Sequence, residues 1–267
     1  MPNQRILFVN QEIAPYLPSS PSADLGKALP QAIHGKGCEV RTFMPKYGTV
    51  NERRNQLHEV IRLSGINIII DDTDHPLIIK VASMQPSRIQ VYFIDNDDYF
   101  QKSADDIDPV GSNRADNDER NIFFTRGTLE TVRKLRWEPN IIHCSGLVSA
   151  LIPMFIRTLF RDDPAFKDAK LVYSVLPGEF TTPLDTRFFD KLTDEQISSQ
   201  ELDKFKGLPL DSNLLHKMAV EYADGVIFHT ESQDENLLTR IKERGIPFMQ
   251  APQEVNSAIY KDFYKSL

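Results

Sequence analysis

Residues 5–33 read RILFVNQEIAPYLPSSPSADLGKALPQAI, and this stretch decides the fold. Its start, RILFVN, is a continuous apolar run of strand length, the form taken by strands buried on both faces of a parallel sheet. A helix is expected from Ala23 to Lys36, closed by the glycines of GKG, where Gly35 or Gly37 can take the left-handed conformation that ends helices. Strand, loop and helix in that order open a βαβ unit, and the loop lies where many α/β proteins hold a phosphate. Here the loop has no glycine before Gly26, so the glycine-rich dinucleotide fingerprint is absent. Ser19, Ser20 and Ser22 can donate to an anion at the helix N-terminus; alternatively Ser22 or Asp24 serves simply as the helix cap.

The alternation continues along the chain. EVRTFMP and RIQVYFIDN read as strands, and HEVIRLSGINIIIDD with PLIIKVASMQ reads as an antiparallel hairpin turning at DDTDHP. ADNDERNIFFTRGTLETVRKLRW starts acidic, ends basic and carries apolar residues at helical spacing, which marks a long helix. NIIHCSG, the helix LVSALIPMFIRTLF with Pro153 as an irregularity, and AKLVYSVL form a further βαβ unit. Short helices are expected around RFFDKL and TDEQISSQEL, then helix and strand in NLLHKMAVEYADGVIFHT, then a helix capped by Ser232 and stopped by Gly245. A last helix, EVNSAIYKDFYKSL, sets Ile259, Phe263 and Leu267 on one stripe, fit to cover an open face of the fold or to contact a second copy. No repeat or linker interrupts the pattern. The expected fold class is therefore α/β: a Rossmann-like, doubly wound, mostly parallel sheet of six to eight strands with an antiparallel hairpin, spanning residues 1–267 as a single domain.

Composition excludes several classes of function. The 267 residues are 40% hydrophobic, enough for a core without staples, and carry a net charge of -7 with no basic face, so nucleic acid is not an expected partner. The N-terminus has no export signal and no run is long enough to span a membrane, which together place the chain in the cytoplasm. Cys38 and Cys144, each in an apolar context, read as buried free thiols. His75, His216 and His229 lie far apart and show no metal spacing, the acidic run DDIDPVGSNRADNDE does not match a calcium loop, and no cofactor is expected. Phe180, Phe188 and Phe189 either line a cleft or pack under a long loop.

ILFVNQEIAPY followed by ADLGKALPQAIHGKGCEVRTFMPKYG resembles the N-terminal signature of bacterial glycogen synthases and plant starch synthases, the ADP-glucose-dependent glucosyltransferases of GT-B fold. The likeness continues in order through YFIDNDDYF, the ADNDERN helix, ALIPMFIRTLFRDDPAFKDAKLVYSV and YADGVIFHT. The resemblance implies two Rossmann-like domains with catalysis between them, and this chain is expected to correspond to the first.

At the positions where the family holds its substrates, this chain departs from the pattern. The resemblance implies a lysine and two glycines in the loop after the first strand, meeting the donor's phosphates and glucose; here Pro18, Ser20 and Pro21 stand there. Proline has no backbone N–H and a fixed φ, so the loop cannot rebuild a glycine cradle. Where the family pattern has an aspartate and a histidine lining the sugar cleft, this chain has Gly146 and Val148, and Leu176 occupies a third site that is histidine in the family. The family's nucleotide pocket, its diphosphate-binding arginine and lysine and its catalytic glutamate lie in the second domain, which this chain is expected to lack. Without preorganised cations a departing diphosphate is not stabilised.

Glu12, Asp24, Tyr99, Asp116 and Asn117 match family positions. Asp116 to Arg120 suit capping and ion pairing at the long helix as well as they suit ligand contact. His143 is also retained, and a histidine ending a buried strand reads as a hydrogen-bonded core residue. The candidate ligand site is thus Pro18, Ser19, Ser20, Ser22, Glu12, Tyr99, Asp116, Asn117 and His143, with no catalytic and no metal-ligating residue expected. The expected function is a glycogen-synthase-like N-terminal domain without independent transferase activity, serving binding, regulation or assembly, with a protein partner or a homo-oligomer. The alternatives are a transferase half completed by a separate donor domain, and a glucan-binding module; the ligand in either case is a glucan or sugar nucleotide.

Overall fold

The computed structural model describes residues 4–35, 37–101, 108–230 and 233–267. β1 (Gln4–Asn10) is buried from Ile6 onward, because parallel neighbours flank it on both sides. α1 (Pro21–Ile33) follows it. The helix starts two residues before the expected Ala23 because Pro21 presets a helical φ at the first position, and it ends at Ile33 with His34 extended. Gly35 and Gly37 do take positive φ, but they shape the turn into β2 (Cys38–Pro45) through a Gly35–Cys38 bridge instead of capping α1. The expected helix end at Lys36 lies outside the described residues.

β3 (His58–Glu59), β4 (Ile66–Ile70) and β5 (Thr73–Met84) form the antiparallel excursion, with β4 and β5 turning at Asp71 and Asp72, both at positive φ. β6 (Ile89–Asp95) pairs antiparallel with β5 and parallel with β2. α2 (Asn117–Leu135) is the expected long helix. It packs closely on the sheet through Gly127, where a Cβ would lie 2.9 Å from side-chain atoms of Ile94 and Leu77.

β7 (Ile141–Ser145) returns beside β1. The helix expected over LVSALIPMFIRTLF is divided: a 3-10 turn at Leu147–Ser149 precedes α3 (Ile152–Thr158), whose first turn accommodates Pro153. A proline fits there and not in a helix interior. β8 (Lys170–Val175), α4 (Phe188–Asp194), α5 (Ser199–Leu202), α6 (Ser212–Tyr222) and β9 (Gly225–Phe228) follow. Asp234 caps α7 (Glu235–Arg244), and Gly245 ends it in the left-handed conformation; Ser232, the expected cap, lies outside the described residues. β10 (Phe248–Gln250) and α8 (Ser257–Lys265) complete the chain.

The sheet runs β10-β9-β8-β7-β1-β2-β6-β5-β3, with β4 on β5. Its ten strands exceed the six to eight expected, since β3 and β10 are two and three residues long and too short for periodicity to reveal. β1, β7, β8 and β9 are mutually parallel and end at one edge, which collects the loops after each of them. α8 reaches this edge with Tyr260 and packs back along β9 toward its start. Gly225 lets Phe263 and Leu267 approach, because a Cβ there would lie 2.6 Å from Leu267 Cδ2. Tyr260, Phe263 and Tyr264 are its buried side chains, while Ile259 points outward at 42% exposure, a correction to the expected stripe.

Candidate functional site

The loop between β1 and α1 is closed onto its own helix. Ser20 is the N-cap: its hydroxyl accepts from the Ala23 amide at 3.0 Å and donates to Glu12 Oε2 at 2.9 Å. Ser19 donates to Asp24 Oδ2 at 2.6 Å, and the Asp24 amide donates to the Ser20 carbonyl at 2.9 Å. Ser22 and Asp24, the expected caps, therefore sit inside the first turn, because Pro21 already holds its first position. Burial pushes the Glu12 carboxyl upward, with the Ser20 and Gln11 hydrogen bonds opposing that shift. Gly26 packs against the Glu12 carbonyl so closely that a Cβ would stand 2.1 Å from its oxygen. Pro18 and Ser19 are exposed, and neither Pro18 nor Pro21 has an N–H to offer an anion.

Beside this loop a cleft of about 690 Å³ opens at the strand ends. Ser22 and Asp24 of α1 form one wall, Leu176 and Pro177 after β8 and His229 after β9 form its floor, and Gln250 of β10 with Tyr260 of α8 form the far side. Among the described residues no lysine or arginine lines it. A chain of hydrogen bonds runs from the cleft into the core: His229 Nε2 lies 3.1 Å from Ser174 Oγ, which lies 2.7 Å from His143 Nε2, while His143 Nδ1 lies 2.7 Å from the Tyr264 hydroxyl. Burial lowers His143 to about 3, with a smaller contribution from His229, and lowers His229 to about 4. Both imidazoles are neutral near pH 7, so His229 brings no positive charge to the cleft wall. His143 is the buried, hydrogen-bonded core residue that its place on β7 suggests.

Tyr99, Asp116 and Asn117 form a second cluster, around the start of α2, and none of them lines the cleft. The Tyr99 hydroxyl donates to Glu119 Oε2 at 2.9 Å and lies 2.9 Å from His75 Nε2; burial, then Glu119, raise its pKa. Asn117 Nδ2 donates to the carbonyls of Ser112 and Arg114. Asp116 pairs with Arg114 and makes no side-chain capping bond, so of its two expected structural roles only the ion pair is seen. Sequence reasoning missed Lys191, buried in α4, whose Nζ is 2.7 Å from Asp118 and 2.6 Å from Glu119 and ties α4 to α2. Nothing in RFFDKL distinguishes such a lysine from a solvated one. Phe188 is wholly buried with Phe189 against it, which is the packing role. Cys38 and Cys144 are buried free thiols. Among the described residues no cluster of metal-ligating side chains is found, and no helix is long and apolar enough to cross a membrane.

Residues 5–246 match the family model of the starch synthase catalytic domain. The chain belongs to this family. Among relatives of this starch synthase family member, the glycogen synthase of Chlorobium luteolum is 38% identical over 197 residues, covering 73% of this chain and 40% of that protein. The glycogen synthase of Chlorobium phaeovibrioides is 33% identical over 236 residues, covering 88% of this chain and 47% of that protein. The chain thus spans less than half the length of these curated relatives. The catalytic domain of starch synthase IV from Arabidopsis thaliana, bound to ADP and acarbose, superposes with a TM-score of 0.74 over 97% of this chain and 53% of that one, at 16% identity. It shares the fold, a mostly parallel α/β sheet of GT-B type. The cleft wall from Gln250 to Tyr260 lies beyond the segment that the family model matches.

Proposed function

We propose that residues 1–267 act as one synthase-type unit that binds a neutral glucan or sugar in the strand-end cleft and has no independent glucosyltransferase activity, serving a binding, regulatory or assembly role in the cytoplasm. The observation that carries this reading is the missing cation. Among the described residues no lysine or arginine lines the cleft, beside a loop where the family resemblance implies a lysine and two glycines at the positions of Pro18, Ser20 and Pro21. Transfer of an ADP-bound sugar leaves a diphosphate whose charge needs preorganised donors, and the first turn of α1 spends the Ala23 and Asp24 amides on Ser20. The polar lining on the far side, the Thr230 hydroxyl and the Gln233 and Gln250 carboxamides that bond to each other at 2.9 Å, is uncharged and suits a neutral polyol better than an anion. Phe248 on edge strand β10 and Ile259 on α8, exposed at 38% and 42%, give a protein partner or second copy an apolar foothold.

Transfer of labelled glucose from ADP-glucose to glycogen by the purified chain tests this. Background incorporation is expected, and turnover at the rate of a full-length glycogen synthase contradicts it. A second reading, a transferase half that works with a donor domain supplied separately, draws support from the match to glycogen synthases and from the ADP and acarbose of the structural relative. Under that reading the chain gains transfer activity when a nucleotide-binding partner recovered from its source is added.

A further inference from the structure

A second concavity lies on another part of the fold and has the opposite electrostatic character. Its volume is about 530 Å³, and its lining brings together Lys27 of α1, Arg54 from the turn before β3, and His58 of β3. Among the described residues no acidic one lines it, although the whole chain carries a net charge of -7. Strand alternation accounts for this separation. On β5 Val81 and Ser83 share a face, His58 pairs opposite Val81, and the pocket wall continues through Ala82 and through Gln85 just past the strand. Lys80 and Glu59, one residue away on each strand, turn to the opposite face, where Lys80 is consumed by Glu52 and Asp95 at 2.6 and 2.8 Å. Glu52 and Asp95 are thus neutralised on that face, while neither Lys27 nor the Arg54 guanidinium has a hydrogen-bonded or ion-paired partner among the described residues.

We propose that this pocket binds a phosphoryl group, as inorganic phosphate or as the phosphomonoester of a small polyol. Arg54 offers a planar fork to two phosphate oxygens and Lys27 a point charge to a third, while Asn55, Gln56 and Ser83 supply neutral hydrogen bonds around them. The volume exceeds that of a phosphate ion and leaves room for the esterified carbon skeleton beside Tyr16 and Val60. The strand-end cleft, with no lysine or arginine among its described residues, and this pocket, with both, therefore take chemically different ligands. This proposal stands or falls independently of the transferase question.

Calorimetric titration with sodium phosphate, against sodium chloride at equal ionic strength, tests it on the full chain. Saturable phosphate binding is expected, weakened about tenfold or more in Lys27→Gln and in Arg54→Gln, consistent with loss of one charge-assisted contact each. Both side chains are at least partly solvated, so circular dichroism should show the variants folded. Glycerol 1-phosphate binding more tightly than inorganic phosphate assigns the ester as the ligand, and equal affinity assigns the free ion. Absence of phosphate-specific heat, or binding undiminished in the Lys27→Gln/Arg54→Gln double variant, overturns the proposal.

Discussion

Ser20 and Glu12 are joined by a 2.9 Å hydrogen bond that fastens the loop after β1 to the helix it precedes. The same hydroxyl accepts from the Ala23 amide, so one side chain satisfies a helix-end donor and a buried carboxyl together. A loop built to embrace a ligand keeps such groups free. This one uses them internally, and its energetic consequences can be measured.

Gly26→Ala is expected to destabilise the chain by about 1–3 kcal/mol, because the added methyl collides with the Glu12 carbonyl, which is backbone and cannot rotate away. Urea unfolding measures this. A variant as stable as the parent would show that α1 does not pack against the Glu12 backbone as described.

Tyr264→Phe removes the hydroxyl 2.7 Å from His143 Nδ1 and leaves a buried ring nitrogen without that partner. A loss of about 1–3 kcal/mol is expected. Hydrogen exchange should quicken in α8 before it quickens in β7, since α8 is held partly by this contact. Unchanged protection of α8 would argue against its anchoring role.

Lys191→Ala leaves Asp118 and Glu119 facing each other around a vacated position at the junction of α2 and α4. Breaking a buried pair in this way costs about 3–5 kcal/mol, whereas Lys191→Met paired with Asp118→Leu should recover much of it. Thermal unfolding of the three proteins checks the order. Equal melting of Lys191→Ala and the parent would refute the link.

Acid should weaken the fold through its histidines. His143, His216 and His229 are lowered by burial from 6.5 to about 3, about 4 and about 4, so the unfolded chain binds protons that the folded chain refuses. Their contribution to stability is complete above 6.5 and declines as pH falls toward 4. Glu12, Asp118 and Glu195 are raised by burial and work in the opposite sense, so the informative comparison is with His229→Gln. That variant should show a shallower fall of melting temperature between pH 6.5 and 5. An equally steep fall would mean that His229 titrates normally.

The alternation of apolar runs with helical spacing was enough to read the parallel sheet, the hairpin at Asp71 and Asp72 and the long helix α2, because each is written in local periodicity. For His143 and Phe188 the sequence left a packing role and a ligand or cleft role both open, and their burial in the structure shows the packing. β3 and β10 were not, since two or three residues carry no period. The shift of the cap from Ser22 or Asp24 to Ser20 follows from Pro21, whose preference for the first helical position outweighs the apolar pattern beginning at Ala23. The cleft wall contributed by Gln250 and Tyr260, and the gathering of Lys27, Arg54 and His58, depend on chain crossings far apart in sequence, for which a single sequence gives no signal.

The strand-end cleft is expected not to hold a nucleotide diphosphate. Calorimetric titration with ADP, performed on the Lys27→Gln/Arg54→Gln variant so that the cationic pocket contributes nothing, addresses it most directly. No saturable binding is predicted up to about 5 mM, a limit of roughly 3 kcal/mol of binding free energy. Micromolar ADP binding that disappears when Ser22 and His229 are replaced would contradict it.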